Sequence, residues 1–90
     1  MIHEMETKNF IEIYTLDNCS YCKKAKTLFD EYGIQYIEYD VKNDKDREIM
    51  KKRANGNYMV PQIFINNDSI GGFDELKILH IRGKLKSLLS

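Results

Sequence analysis

Cys19-Ser20-Tyr21-Cys22 is the stretch of this 90-residue chain whose residue types and spacing suit a reaction, and the reaction is thiol–disulfide exchange. The two cysteines of the chain stand three positions apart, after a β-rich run from Phe10 to Thr15 and before a helical pattern. In a strand-to-helix setting a C-x-x-C reads as a redox pair. At a helix start, four backbone N–H groups lack intrahelical acceptors and the macrodipole is partly positive, which favours Cys19 as a thiolate. Cys22, one turn on, is near enough to attack a disulfide formed by Cys19. The pair therefore reads as a nucleophile followed by a resolving thiol. Two plainer readings stand beside it. Structural zinc takes four Cys or His ligands, and His3 and His80 lie at opposite ends of the chain. An inert buried pair would leave the placement between strand and helix a coincidence.

Across the whole chain 14 basic residues balance 14 acidic ones, so no net field recommends nucleic acid or an anionic membrane as partner. Met1 to Glu6 is too polar and acidic for a signal peptide, and no apolar run approaches a membrane span. The expectation is a cytoplasmic protein, in a compartment where a C-x-x-C is more often catalytic than structural. Ninety residues suit a single domain, 1–90, with residues 1–8 a poorly ordered lead-in.

The elements that must hold the cysteines follow in order. Phe10 to Thr15 is β-branched and aromatic with Glu12 its only charge, which suits a central strand buried on most of both faces. Cys22, Ala25, Leu28, Phe29 and Tyr32 recur at helical spacing, and Gly33 stops that helix. Ile34 to Tyr39 is a second strand, parallel to the first because a helix connects them. A second helix is predicted from Asp44 to Ala54, with Ile49 and Met50 inward and Asn55-Gly56-Asn57 ending it. Val60 to Ile65 is a strand opened by the only proline, Pro61; Asn66-Asn67-Asp68 turns it into a short return strand at Ser69-Ile70. After Gly71-Gly72, the residues Phe73, Leu76, Leu79 and His80 restart a helix, with Asp74 and Glu75 in its first turn. Leu85, Leu88 and Leu89 make a last amphipathic turn. The fold class is α/β: a four-stranded mixed sheet in the order β-α-β-α-β-β-α, with helices on both faces.

Cys19-Ser20-Tyr21-Cys22 followed by Ala25-Lys26, then Val60-Pro61-Gln62-Ile63-Phe64-Ile65, then Gly71-Gly72-Phe73-Asp74-Glu75-Leu76 are three motifs in an order and at distances that resemble the dithiol glutaredoxins, of the thioredoxin-like fold. The resemblance runs from about Phe10 to Leu89. It implies a glutathione-dependent oxidoreductase with Cys19 and Cys22 catalytic, and a cis Val60-Pro61 bond that turns the Val60 backbone toward a peptide-like ligand. It places Tyr21, Met59, Val60, Pro61, Gly72, Phe73, Asp74 and Glu75 at the glutathione site. The N–H groups at Phe73 and Asp74 would receive the γ-glutamyl carboxylate, and Asp74 or Glu75 the α-amino group. The plainer role of both acids is to cap the helix.

The chain departs from the family's pattern at several positions. Leu16 stands where many relatives have a basic residue, and Asn57 and Glu48 stand near positions where others hold the glycine carboxylate of glutathione with arginine or glutamine. Lys23, Lys51 and Arg53 are the substitutes in reach; as solvated surface cations they would do nothing there. Met59 replaces the commoner threonine, and Ser20 the commoner proline, which adds an N–H and loosens the turn. Some relatives with serine at that place resemble [2Fe–2S] carriers, in which two protomers and two glutathiones supply four sulfurs, one of them Cys19 of each chain. Within one chain no metal is expected. A thioredoxin-like reductant recharged by a flavoenzyme is the third reading. The favoured one takes glutathione and glutathionylated or disulfide-bonded proteins as partners and the protein itself as a monomer.

Overall fold

A computed structural model of the chain describes residues 9–89, so the expectation of a poorly ordered lead-in over residues 1–8 lies outside the described residues. The strand β1 (Ile11–Thr15) is buried at all five positions, as its apolar and β-branched make-up requires. It sits inside a four-stranded sheet of order β2-β1-β3-β4, completed by β2 (Ile37–Asp40), β3 (Gln62–Ile65) and β4 (Asp68–Gly71). β2 lies parallel to β1, with Tyr14 opposite Tyr39. β3 runs antiparallel to both β1 and β4. The helices are α1 (Ser20–Glu31), α2 (Asp44–Arg53) and α3 (Phe73–Ile81), and a short 3-10 turn spans Leu85–Leu89. Alternation along β1 and β3 sends successive side chains to opposite faces. Ile11, Ile13 and Ile63 pack with Ala25, Leu28 and Phe29 of α1, Leu76 of α3 and Leu85. Tyr14 and Phe64 pack on the other face with Val41, Met50 and Ala54, at α2.

The α/β class, the mixed four-stranded sheet and the element order match the reading of the sequence. The β3–β4 hairpin turns on Asn66 and Asn67, with φ of 52° and 71°, the left-handed pair that a two-residue turn between twisted strands requires. Several details differ, among them the start of β3, at Gln62 and not Val60. β2 starts at Ile37 and not Ile34, because the Ile34 N–H donates to the Phe29 carbonyl at 2.9 Å and so closes the end of α1 instead of joining a ladder. In α2 it is Met50 and not Ile49 that faces the core: Met50 shares its side with Ala54, four residues on, and Ile49 is exposed. Phe10 is exposed and stands outside β1. Among the described residues no helix is long and apolar enough to cross a membrane.

Candidate active site

Cys19 is the residue that opens α1. Its backbone is extended (φ −101°, ψ 108°), its carbonyl accepts from the Lys23 N–H at 3.1 Å, and its sulfur accepts from the Cys22 N–H at 3.2 Å. A sulfur therefore occupies the place that a serine, threonine or aspartate oxygen takes at most helix starts. There the unfilled N–H groups of the first turn and the macrodipole act together on any charge the sulfur carries. Cys19 is partly exposed; Cys22 is buried, and both are free thiols. Burial, then the hydrogen bond to Cys19, push the Cys22 thiol up to about 12, so it holds its proton at neutral pH. The two sulfurs thus have opposite settings: one open and facing helix dipoles, one dry and protonated.

Beneath them, Lys26 of α1 reaches Glu38 of β2, Nζ to Oε2 at 2.8 Å, and the Thr15 hydroxyl donates to the same oxygen at 2.6 Å. Burial pushes the Glu38 carboxyl up, and the bonds from Lys26 and Thr15 outweigh it, leaving the carboxyl below its ordinary value. The Lys26 ammonium is held above its ordinary range, first by Glu38.

A cleft of about 340 Å³ opens beside Tyr21, lined by Asn57, Met59, Val60, Pro61, Gln62, Gly72, Phe73, Asp74 and Glu75. The eight residues that the resemblance places at the glutathione site all stand in the walls of this cleft. The Val60-Pro61 bond is cis. The Tyr21 ring is 54% exposed and stands 6.0 Å from the Phe73 ring, with the Lys24 ammonium 5.1 Å above it. Gly71 has φ of +110°, and a Cβ there would meet the Glu75 carboxylate at 2.7 Å; a Cβ on Gly72 would meet the Pro61 carbonyl at 3.1 Å. The two glycines let three segments close on one another. Glu75 is engaged by its own helix, since the Gly72 N–H donates to its Oε1 at 2.8 Å in a capping box.

The cations considered for a carboxylate at this site are differently placed. Arg53 lies against the α2 face of the sheet, forked on Glu12 at 2.9 and 3.1 Å and donating to the Tyr14 hydroxyl at 2.9 Å. Lys51 lies 5.6 Å from the Tyr58 ring, beside Arg47, which stacks on that ring at 4.3 Å and donates to the Tyr58 carbonyl at 2.9 Å. Arg47 was not singled out in the sequence, and neither was Gln62 as a wall of the cleft. A polar residue in an otherwise apolar strand was the available signal for Gln62.

A family model described as Glutaredoxin matches residues 11–70. Glutaredoxin 3 of Escherichia coli strain K12 is 45% identical over 80 residues, covering 88% of this chain and 95% of the relative. The solution structure of a glutaredoxin from Brucella melitensis superposes with a TM-score of 0.80 at 37% identity, covering 96% of this chain and 94% of that one. The crystal structure of a buckwheat glutaredoxin–glutathione complex superposes with a TM-score of 0.78 at 29% identity, covering 90% of this chain and 76% of that one.

Proposed function

From the premise that the chain belongs to the glutaredoxin family, and so is a thiol–disulfide oxidoreductase, we propose that glutathione is its cosubstrate and that Cys19 carries the exchange. The observation that carries this reading is the Cys19 sulfur set as the cap of α1, two residues before Tyr21 in the wall of a cleft of about 340 Å³. In the monothiol route the Cys19 thiolate attacks the glutathione sulfur of a glutathionylated protein, and the protein thiolate leaves and takes up a proton. A second glutathione, as thiolate, then attacks the glutathione sulfur on Cys19, releasing glutathione disulfide and restoring the Cys19 thiolate. Stabilising an attacking thiolate raises its population but lowers its nucleophilicity, with β of about 0.4–0.5, so the first step gains little. The second step gains more, because a stabilised sulfur leaves faster.

In the dithiol route Cys19 forms a mixed disulfide with a protein, and the Cys22 sulfur attacks Cys19, expelling the protein thiolate and closing an internal disulfide. Two glutathiones reduce it. Cys22 must lose its proton for this, and the mixed disulfide removes two of the causes that hold the proton on, the hydrogen bond and the charge of Cys19, leaving burial against the Leu16 backbone hydrogen bond and the Lys26 ammonium. Tyr21 and the Met59–Pro61 segment flank the tripeptide, and the α3 entrance at Gly72–Asp74 receives the γ-glutamyl carboxylate. With Glu75 committed to Gly72, Asp74 is the acid for the α-amino group. The buckwheat complex supports glutathione as the ligand class.

The protein acts as a monomer in a reducing compartment such as the cytoplasm, on disulfide-bonded and glutathionylated proteins. A [2Fe–2S] cluster needs four sulfurs, and one chain offers Cys19 while Cys22 is buried, so no step is assigned to a cluster. Among the described residues no three His, Cys, Asp or Glu side chains gather as a metal site. Steady-state turnover of a glutathionylated peptide and of a protein disulfide tests the assignment. Cys22→Ser is expected to keep the first activity and lose most of the second; Cys19→Ser is expected to lose both. Wild-type turnover by Cys19→Ser, or recharging by thioredoxin reductase in place of glutathione, contradicts the reading.

A further inference from the structure

Met59 is 71% exposed, yet both polar groups of its backbone are held by side chains. Its N–H donates to Asn57 Oδ1 at 2.9 Å, and its carbonyl accepts from Gln62 Nε2 at 2.9 Å. Asn57 and Gln62 both stand in the wall of the cleft. Gln62 is 1% exposed, inside β3 and on the same side of the sheet as Phe64. Its other amide atom, Oε1, is buried and has no hydrogen-bond partner among the described residues. A buried acceptor without a donor is costly, and an apolar side chain of similar size would avoid that cost at this position. Packing alone therefore does not account for a glutamine here. What the carboxamide does in the structure is tie down Met59 from one side while Asn57 ties it from the other.

We propose that Asn57 and Gln62 are positioning residues, a two-sided clamp on the Met59 backbone that aims the Val60 main chain at the peptide part of the thiol cosubstrate. Val60 follows Met59 directly, so fixing the Met59 carbonyl fixes the peptide plane that also carries the Val60 N–H. The clamp rests on the glutathione reading and specifies it: it makes the site select a thiol that carries peptide groups over one that does not.

The test compares one peptide blocked on its cysteine with glutathione or with 2-mercaptoethanol. The wild type is expected to prefer the glutathione-blocked form. Losing one hydrogen bond of the clamp is expected to shrink that preference about tenfold in Gln62→Met and in Asn57→Ala, through KM more than kcat. Asn57→Asp keeps the acceptor for the Met59 N–H and is expected to retain the preference. A wild-type preference that survives intact in both Gln62→Met and Asn57→Ala overturns the clamp alone. A wild type with no preference contradicts the glutathione reading, and the clamp falls with it. Should either variant melt early, hydrogen exchange at the Met59 amide of the wild type decides: protection supports the clamp, and exchange at the rate of an open chain overturns it.

Discussion

The Cys22 thiol keeps its proton because it is buried and because it is hydrogen-bonded to Cys19. That asymmetry suits the two identical side chains to the different tasks proposed for them, and it comes from position in α1 and not from residue type. The glycines opposite are as specific. Gly71 combines a φ of +110° with a close approach to the Glu75 carboxylate, so a side chain there is wrong both for the backbone and for the space. Gly71→Ala is expected to cost about 1–3 kcal/mol in urea unfolding and to loosen the start of α3. An unchanged midpoint would mean that Glu75 swings aside at no cost and that the capping box adds nothing to the site.

At the scale of elements, β1 carries a charge in the middle of the sheet. Glu12 is 4% exposed and is answered by the fork of Arg53 from the end of α2 and by the Tyr39 hydroxyl of β2, at 2.7 Å. The Arg53 guanidinium also lies 4.1 Å over the Phe64 ring of β3. One ion pair thus ties α2 to three strands. The Arg53 hydrogen bond holds the Glu12 carboxyl below its ordinary 4.5, against burial and with help from Tyr39. A carboxyl whose folded value lies below its unfolded one stabilises the fold fully above the unfolded value and loses that contribution as the pH falls through the folded one. Between pH 7 and pH 3 the wild type is therefore expected to lose more stability than Glu12→Gln, which has no charge there to lose. At pH 7 the variant is expected to be less stable by about 1–3 kcal/mol, because Arg53 keeps a hydrogen-bonding partner but not a charged one. Parallel losses in the two proteins, read from urea midpoints at both pH values, would assign the acid sensitivity elsewhere.

Across the whole molecule, the end of β1, the start of α1, the start of β3 and the start of α3 meet at one end of the sheet, and the site is that meeting point. Much of this is legible in the chain. The apolar run of β1, the three-and-four spacing of α1, the asparagine turn and the paired glycines each act locally, so each leaves a local pattern. What could not be read depends on partners that no local pattern announces, near or far along the chain. Ile34 looks like a strand residue until the carbonyl of Phe29 takes its N–H. Arg53 looks like a surface cation in reach of the ligand until Glu12, 41 residues away, claims it. Gln62 looks like an ordinary motif residue until Met59 folds back on it. None of these alters the central claim, that the fold makes one sulfur reactive and keeps the other in reserve. Competitive alkylation of the reduced protein with iodoacetamide at pH 7, followed site by site by mass spectrometry, tests it most directly. The Cys22 thiol is buried and held well above its ordinary range whereas Cys19 is partly exposed, so Cys19 is expected to be labelled first. Equal labelling of the two cysteines, or Cys22 ahead of Cys19, would contradict the account.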